Sequence, residues 1–235
     1  MSVFGLKKSE QNSPHSLAAA GNLGIQVIRA SEGSPDLNEL INEYAMPHSR
    51  LSREVRNYRT MNWENIYRGY KKAKMAYDNN IPTFFGMLWG TVVRDGEVVD
   101  LGIISMRVVT DAGVAAIATG LNGNASAGNF NFHGIGIGTG AESAANTALG
   151  SELTTAYATD NVRPTGAKSN PTANVFRTVA TNTLDGSAAI TEHGIFTQAA
   201  VAGGTLLDRS LFSAINLSSG DSLETTYDLT LNSGG

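Results

Sequence analysis

From Ser222 to Leu231 the chain alternates, with Leu223, Tyr227, Leu229 and Leu231 on odd positions and Ser222, Glu224, Thr226, Asp228 and Thr230 on even ones. Thr225 is the single polar residue at an odd position of this run. A period of two places successive side chains on opposite faces of an extended strand, so one face belongs to a core and the other to water. Immediately before it stands Ser218-Ser219-Gly220-Asp221, residues that tolerate tight backbone geometry and bond their own main chain. The run from Leu206 to Ile215 is therefore expected to be its hairpin partner, within an antiparallel β-sandwich.

Composition agrees with that fold class. The 26 glycines and the low 16% of charged residues suit short strands joined by tight turns. A length of 235 residues allows one large β domain with an extension. Hydrophobic residues make up 41%, enough for a core, but no stretch approaches the roughly 20 apolar residues of a membrane span, so a soluble chain with no membrane partner is expected. The opening Met1 to Lys8 lacks the apolar run and cleavage site of a secretory signal, which predicts synthesis in a cytoplasm. The absence of cysteine excludes disulfides and thiolate metal sites. Charge is unevenly spread: residues 50–77 hold eight basic residues against Glu54 and Glu64, a local +6, while residues 108–235 hold four basic against ten acidic, a local −6. The two regions favour partners of opposite sign, and copies packed side by side satisfy each other in this way.

Three segments follow. Residues 1–48, rich in Ser, Gly, Asn and Ala, read as an extended N-terminal arm carrying one short helix, which starts at Ser34-Pro35-Asp36 and ends at Pro47. Residues 49–80 read as a basic amphipathic segment of one or two helices, with Trp63, Ile66, Tyr67, Tyr70 and Tyr77 on or near one stripe and Arg68, Lys71, Lys72 and Lys74 around it. Residues 81–235 read as a mainly β, jelly-roll-like antiparallel sandwich. Phe84–Val93 and Val98–Val109 flank Arg94-Asp95-Gly96-Glu97, a hairpin signal. Thr110-Asp111-Ala112-Gly113 caps a short helix through Ala118. Further strands are expected near Phe130–Thr139, Val175–Thr183, Ala188–Thr197 and Leu206–Ala214. The long irregular stretch 141–174 is expected to be functional or to lie on a neighbour.

Candidate chemistry is sparse. Gly134, Gly136, Gly138 and Gly140 recur at every second residue, the period of a strand with a bare face, whereas a dinucleotide loop needs different spacing and a helix directly afterwards. His133 and His193 both sit in His-Gly-Ile, but Glu192 alternates to the opposite face and no third metal ligand lies nearby in sequence. The expectation is two strands of one sheet whose imidazoles bond main chain, or a ring of histidines about an oligomer axis; Phe196 and Tyr227 are read with them as core or oligomer positions. Asp208-Arg209, Asp160, Asp185 and Asp221 are scattered among turn residues and form no triad or paired-carboxylate spacing, so no catalysis and no cofactor or metal is expected. Arg50, Arg53, Arg56, Arg59, Trp63, Tyr67, Tyr70, Lys71, Lys72 and Lys74 are the candidate partner-binding residues. Nucleic acid is the poorer partner for them, because one basic segment in an acidic protein is a modest footprint.

Val109-Thr110-Asp111-Ala112-Gly113-Val114, Asn129-Phe130-Asn131-Phe132-His133-Gly134, Ala173 to Val179, Ile190 to Phe196 and Leu206 to Leu231 occur in one order. In these motifs the chain resembles a family of tailed-bacteriophage virion proteins over roughly residues 100–233. The resemblance implies a non-enzymatic structural component of the particle, a capsid cement or decoration protein, with the major capsid protein and copies of itself as partners in a homotrimer. It leaves open a tail, neck or fibre module; a module binding host carbohydrate would use the stretch 141–174 and its neighbours as the receptor surface, a reading weakened because Tyr157 is the one aromatic there. An arm followed by amphipathic helices favours cement, since ordering such a segment costs entropy that only an extensive contact offsets.

Overall fold

The structure is a computed structural model that describes residues 51–123 and 128–233. The expected arm of residues 1–48, its helix from Ser34, and Arg50 lie outside the described residues. The chain divides into two units, Met1–Asn57 and Tyr58–Gly235, and the fold below is that of the second.

The protein is mainly β, with eight strands in two antiparallel sheets. The expected basic segment is one helix, α1 (Arg53–Asp78), entered through Ser52, whose hydroxyl accepts from the Val55 N–H at 3.2 Å. Then come β1 (Thr83–Arg94), β2 (Glu97–Val108), α2 (Asp111–Leu121), β3 (Phe132–Gly136), β4 (Ala167–Ser169), β5 (Val175–Thr183), β6 (Ala188–Phe196), β7 (Leu206–Leu217) and β8 (Ser222–Asn232). One sheet has the order β2-β1-β8-β5-β4 and the other β3-β6-β7. The β1–β2 hairpin turns at Asp95 and Gly96, both left-handed, as the Asp-Gly pair requires. Thr110 caps α2 by accepting from the Gly113 N–H. β4 is too short and too polar to carry a sequence signal.

The expected hairpin between β7 and β8 does not form. β8 lies between β1 and β5, and β7 pairs with β6 in the other sheet. The turn at Ser218–Asp221, with Gly220 at φ +91° and Ser218 N–H donating to Asp221 Oδ2 at 2.8 Å, steps the chain from one sheet to the other. Alternation reports which face of a strand is buried and not which strand lies beside it. Here the buried faces of β7 and β8 oppose each other across the core.

From β8, Leu223, Tyr227 and Leu229 point into that core, beside Val92, Leu88 and Gly86 of β1. Gly86 leaves room for cross-sheet contact, since a Cβ there would lie 2.7 Å from the Tyr227 ring and 2.9 Å from Asp208 Oδ2. At one margin the segment Pro164–Ser169 spans both sheets: His133 N–H donates to Pro164 O at 3.1 Å, Phe132 bridges Thr165, and Ala167 pairs with Val179 of β5.

The free edge of β3 is also covered. Within the stretch 141–174, residues 151–153 pair with it: Ile137 N–H donates to Ser151 O at 2.9 Å and Leu153 N–H to Ile135 O at 3.0 Å. The bare glycine face is what admits this approach. A Cβ on Gly134 would lie 2.6 Å from Glu152 Oε1, one on Gly136 would strike Ser151 O, and one on Gly138 would strike Glu192 Oε1.

Candidate docking surface

The ten candidate partner-binding residues do not share one environment. Arg53 is exposed and Arg56 half-buried at the start of α1. Arg59 is only 6% exposed, and its Nε donates to Leu101 O at 3.1 Å, so it belongs to the body of the protein. Tyr70 is likewise buried with Ile66, and desolvation pushes its hydroxyl up to about 12. Trp63 and Tyr67 stay half-exposed, stacked at 5.7 Å between ring centres, and Lys71 Nζ lies 5.6 Å from the Tyr67 ring centre. Lys71 and Lys72 are exposed, and Lys74 pairs with Asp78 at 2.5 Å. The expected aromatic stripe is thus split: Ile66 and Tyr70 face inward, whereas Trp63 and Tyr67 border solvent, and the Tyr77 side chain lies outside the described ones.

The inward face of α1 closes a sheet margin. Asn62, fully buried, donates from Nδ2 to Ile104 O of β2 at 2.5 Å and accepts at Oδ1 from Ser213 N–H of β7 at 3.0 Å. One amide therefore satisfies backbone groups on the outermost strand of each sheet, where unpaired edges would otherwise stand open. Arg107 reaches back to Asn65 O at 2.9 Å, and Gly69 sits so close to Met106 O that no Cβ fits. Asn62 carried no reading in the sequence; the signal that could have marked it is a polar residue within the spacing Tyr58, Asn62, Ile66, Ala73, all buried.

Between α1 and residues 139–144 runs a cleft of about 1110 Å³, lined by Asn65, Arg68 and Lys72 on one wall and by Thr139, Glu142 and Ser143 on the other. Its inner charges are paired: Arg107 with Glu142, and Arg209 with Glu192 at 2.8 Å. Lys71 and Lys72 stand at its rim, so the positive character faces outward.

His133 and His193 lie on adjacent strands of one sheet, as expected, but neither bonds main chain nor reaches an oligomer surface. Both are fully buried between the sheets. His133 Nδ1 lies 3.1 Å from His193 Nε2 and 2.9 Å from Thr225 Oγ1, and its Nε2 lies 3.1 Å from Thr178 Oγ1. Of the two facing nitrogens one must carry the proton and the other accept it. Burial holds both imidazoles well below their usual range, His193 at about 3. Gly166 is part of this arrangement, because a Cβ there would strike the Thr178 hydroxyl. Tyr227 and Phe196 are core residues; Phe196 packs with Leu149 and Leu206 under the Arg163 guanidinium, 3.4 Å from its ring centre.

Three buried charged groups carried no spacing signal. Glu192 accepts from the N–H groups of Gly138, Gly150 and Ser151 and from Arg209. Arg163, 1% exposed, pairs with Glu152 and donates to the carbonyls of Gln198, Ala200 and Gly203. Asp208 is not in a turn: it sits in β7, fully buried, accepting from Ser210 Oγ at 2.7 Å, and desolvation pushes its carboxyl up to about 7. Glu192 and Arg163 tie strands and loops together, whereas Asp208 bonds only Ser210 of its own strand and its Oδ2 has no partner; all three are buried. Tyr157, the aromatic of the expected receptor surface, is 2% exposed, and its hydroxyl accepts from Ile135 N–H at 3.0 Å. Among the described residues no group of three or more His, Asp or Glu is placed to hold a metal ion, and no helix is long and apolar enough to cross a membrane. Comparison with protein-family models, with curated proteins and with solved structures finds no match in any of the three.

Proposed function

We propose that this protein is a non-enzymatic structural component of a bacteriophage particle, a cement or decoration protein that fastens to major capsid subunits through α1 and the segment before it and displays the sandwich. The observation that carries this reading is the division of labour on α1. Its inner face closes the protein's own sheet margin, while its outer face presents Trp63, Tyr67, Lys71 and Lys72, a basic and aromatic strip on a chain of net charge −4. Aromatic and cationic side chains side by side suit a protein partner with an acidic surface. The ordered motifs that resemble phage virion proteins support the same reading, as does the burial of Glu192 and Arg163 in pairs with Arg209 and Glu152.

The test is the double variant Lys71→Glu, Lys72→Glu. Both side chains are exposed, so the fold should be kept, and binding to purified particles that lack the protein should fall at least about tenfold. Particles reconstituted with wild-type protein should survive heat or low salt that disrupts bare ones. Unchanged particle binding by the variant would remove α1 from the contact. Binding to tails alone would assign the chain to the tail or neck. Salt-sensitive DNA binding by wild type, lost in the variant, would assign the strip to nucleic acid.

A further inference from the structure

α2 (Asp111–Leu121) is at odds with the surface around it. Its sequence, DAGVAAIATGL, has one charged residue, Asp111 at the first position, and is otherwise apolar except for Thr119. A helix apolar around most of its circumference belongs in an interior. Yet only Gly113 is buried; Val114 is 39% and Leu121 90% exposed, and Ala115 and Ala118 face solvent. The hydrogen-bonded attachment is at the first turn, and Ala116, Ile117 and Gly120 beyond it are half-buried, which leaves one face open. Thr110 accepts from the Gly113 N–H at 3.0 Å and donates to Leu206 O at 2.7 Å, and a Cβ on Gly113 would lie 2.7 Å from Leu207 O. An 11-residue helix is too short to be held by its own hydrogen bonds. The face beyond Gly113 therefore calls for a surface to lie against.

We propose that this surface is a second copy of the chain, packed α2 against α2 about a symmetry axis. Val114, Ala118 and Leu121 form one stripe at i, i+4 and i+7, with Ala115 beside it, and such small side chains let two helix axes approach closely. Charge singles out a like partner. The chain carries net charge −4, but from Ala112 to Ala141 there is no Asp, Glu, Lys or Arg, so the stripe from Val114 to Leu121 can meet its copy without setting like charges together, Asp111 standing at its margin. A two-fold contact sets the same patch on both sides, which a neutral apolar face satisfies and a charged one does not. Area argues for a wider contact than the helix alone. At about 16 Å long, α2 falls short of the roughly 800 Å² per partner of a stable interface. The adjoining segment extends the patch: Asp111 N–H donates to Ala144 O at 2.8 Å, and Ala144, Ala145, Thr147 and Ala148 are exposed and uncharged. A lipid surface fits less well, since α2 lacks the aromatic and basic residues that anchor an interfacial helix.

This inference stands apart from the particle reading, and its test needs no particle. Sedimentation velocity on the full chain over a wide concentration range should show reversible self-association. The variant Ala118→Glu, Leu121→Glu should raise the dissociation constant at least about tenfold while circular dichroism stays unchanged. Because the chain has no cysteine, Ala118→Cys gives a single thiol, and mild oxidation should cross-link it between copies faster than Val98→Cys, a control at a 68% exposed site on β2. A chain that stays monomeric at every concentration, with no preferential cross-link, would overturn the proposal. Monomeric wild type that partitions onto neutral phosphatidylcholine vesicles, with the Glu variant not doing so, would overturn it in favour of lipid.

Discussion

Thr225 is the one polar residue on the buried face of β8, and its hydroxyl lies 2.9 Å from His133 Nδ1. A polar group in a core costs free energy unless it is bonded, and here four side chains from both sheets, His133, His193, Thr178 and Thr225, bond one another, with His193 Nδ1 left without a partner. Asp208 and Ser210 stand on the same face of β7, with His193 opposite Ser210 in register. Two titrations in this core have opposite signs. Asp208 is raised from the usual 3.8 to about 7, so its contribution to stability is complete below the unfolded value and is lost as pH climbs through 7. His193 is lowered from 6.5 to about 3, so its contribution is present above 6.5 and is lost as pH falls through 3. Asp208→Asn keeps an oxygen for Ser210 and removes the charge. Urea unfolding should show the variant gaining on wild type by up to about 4 kcal/mol between pH 3 and pH 8, roughly three pKa units; parallel curves over that range would show that Asp208 does not titrate there.

Among the elements, α1 was legible as a helix from its spacing, and its charge as a solvent face. What spacing alone left open was which aromatics turn inward, because Trp63, Ile66, Tyr67 and Tyr70 span more of the circumference than one face can bury. Asn62 decides the orientation by offering a donor and an acceptor to two strands at once. Asn62→Ala should strand the Ile104 carbonyl and the Ser213 N–H and cost about 2–4 kcal/mol by equilibrium unfolding. A cost near that of an exposed Asn→Ala change, within about 0.5 kcal/mol, would show that the bridge contributes little. The glycine strip shows the reverse case. Its period of two already implied a bare face, and the structure supplies the occupant, residues 151–153 and the Glu192 carboxylate.

At the scale of the whole domain, both margins between the sheets are tied, by Asn62 at β2 and β7 and by Pro164–Ser169 at β3 and β5, and the core between them is joined by the histidine and threonine cluster. Sheets linked in this way should not melt separately. Calorimetry on the intact chain should place the β domain in a single transition whose calorimetric and van't Hoff enthalpies agree, and two resolved β transitions would contradict it. The sequence by itself determined the class of fold, most strand limits, the Asp-Gly hairpin and the Thr110 cap, because these rest on local periodicity and on backbone preferences within a few residues. Only the tertiary structure decided that β7 and β8 face each other across the core instead of pairing, that His133 meets His193 and Thr225, and that the face of α2 with Val114, Ala115, Ala118 and Leu121 is left exposed. Those outcomes depend on which surfaces far apart in the chain meet, and alternation within one strand holds no information about its neighbour.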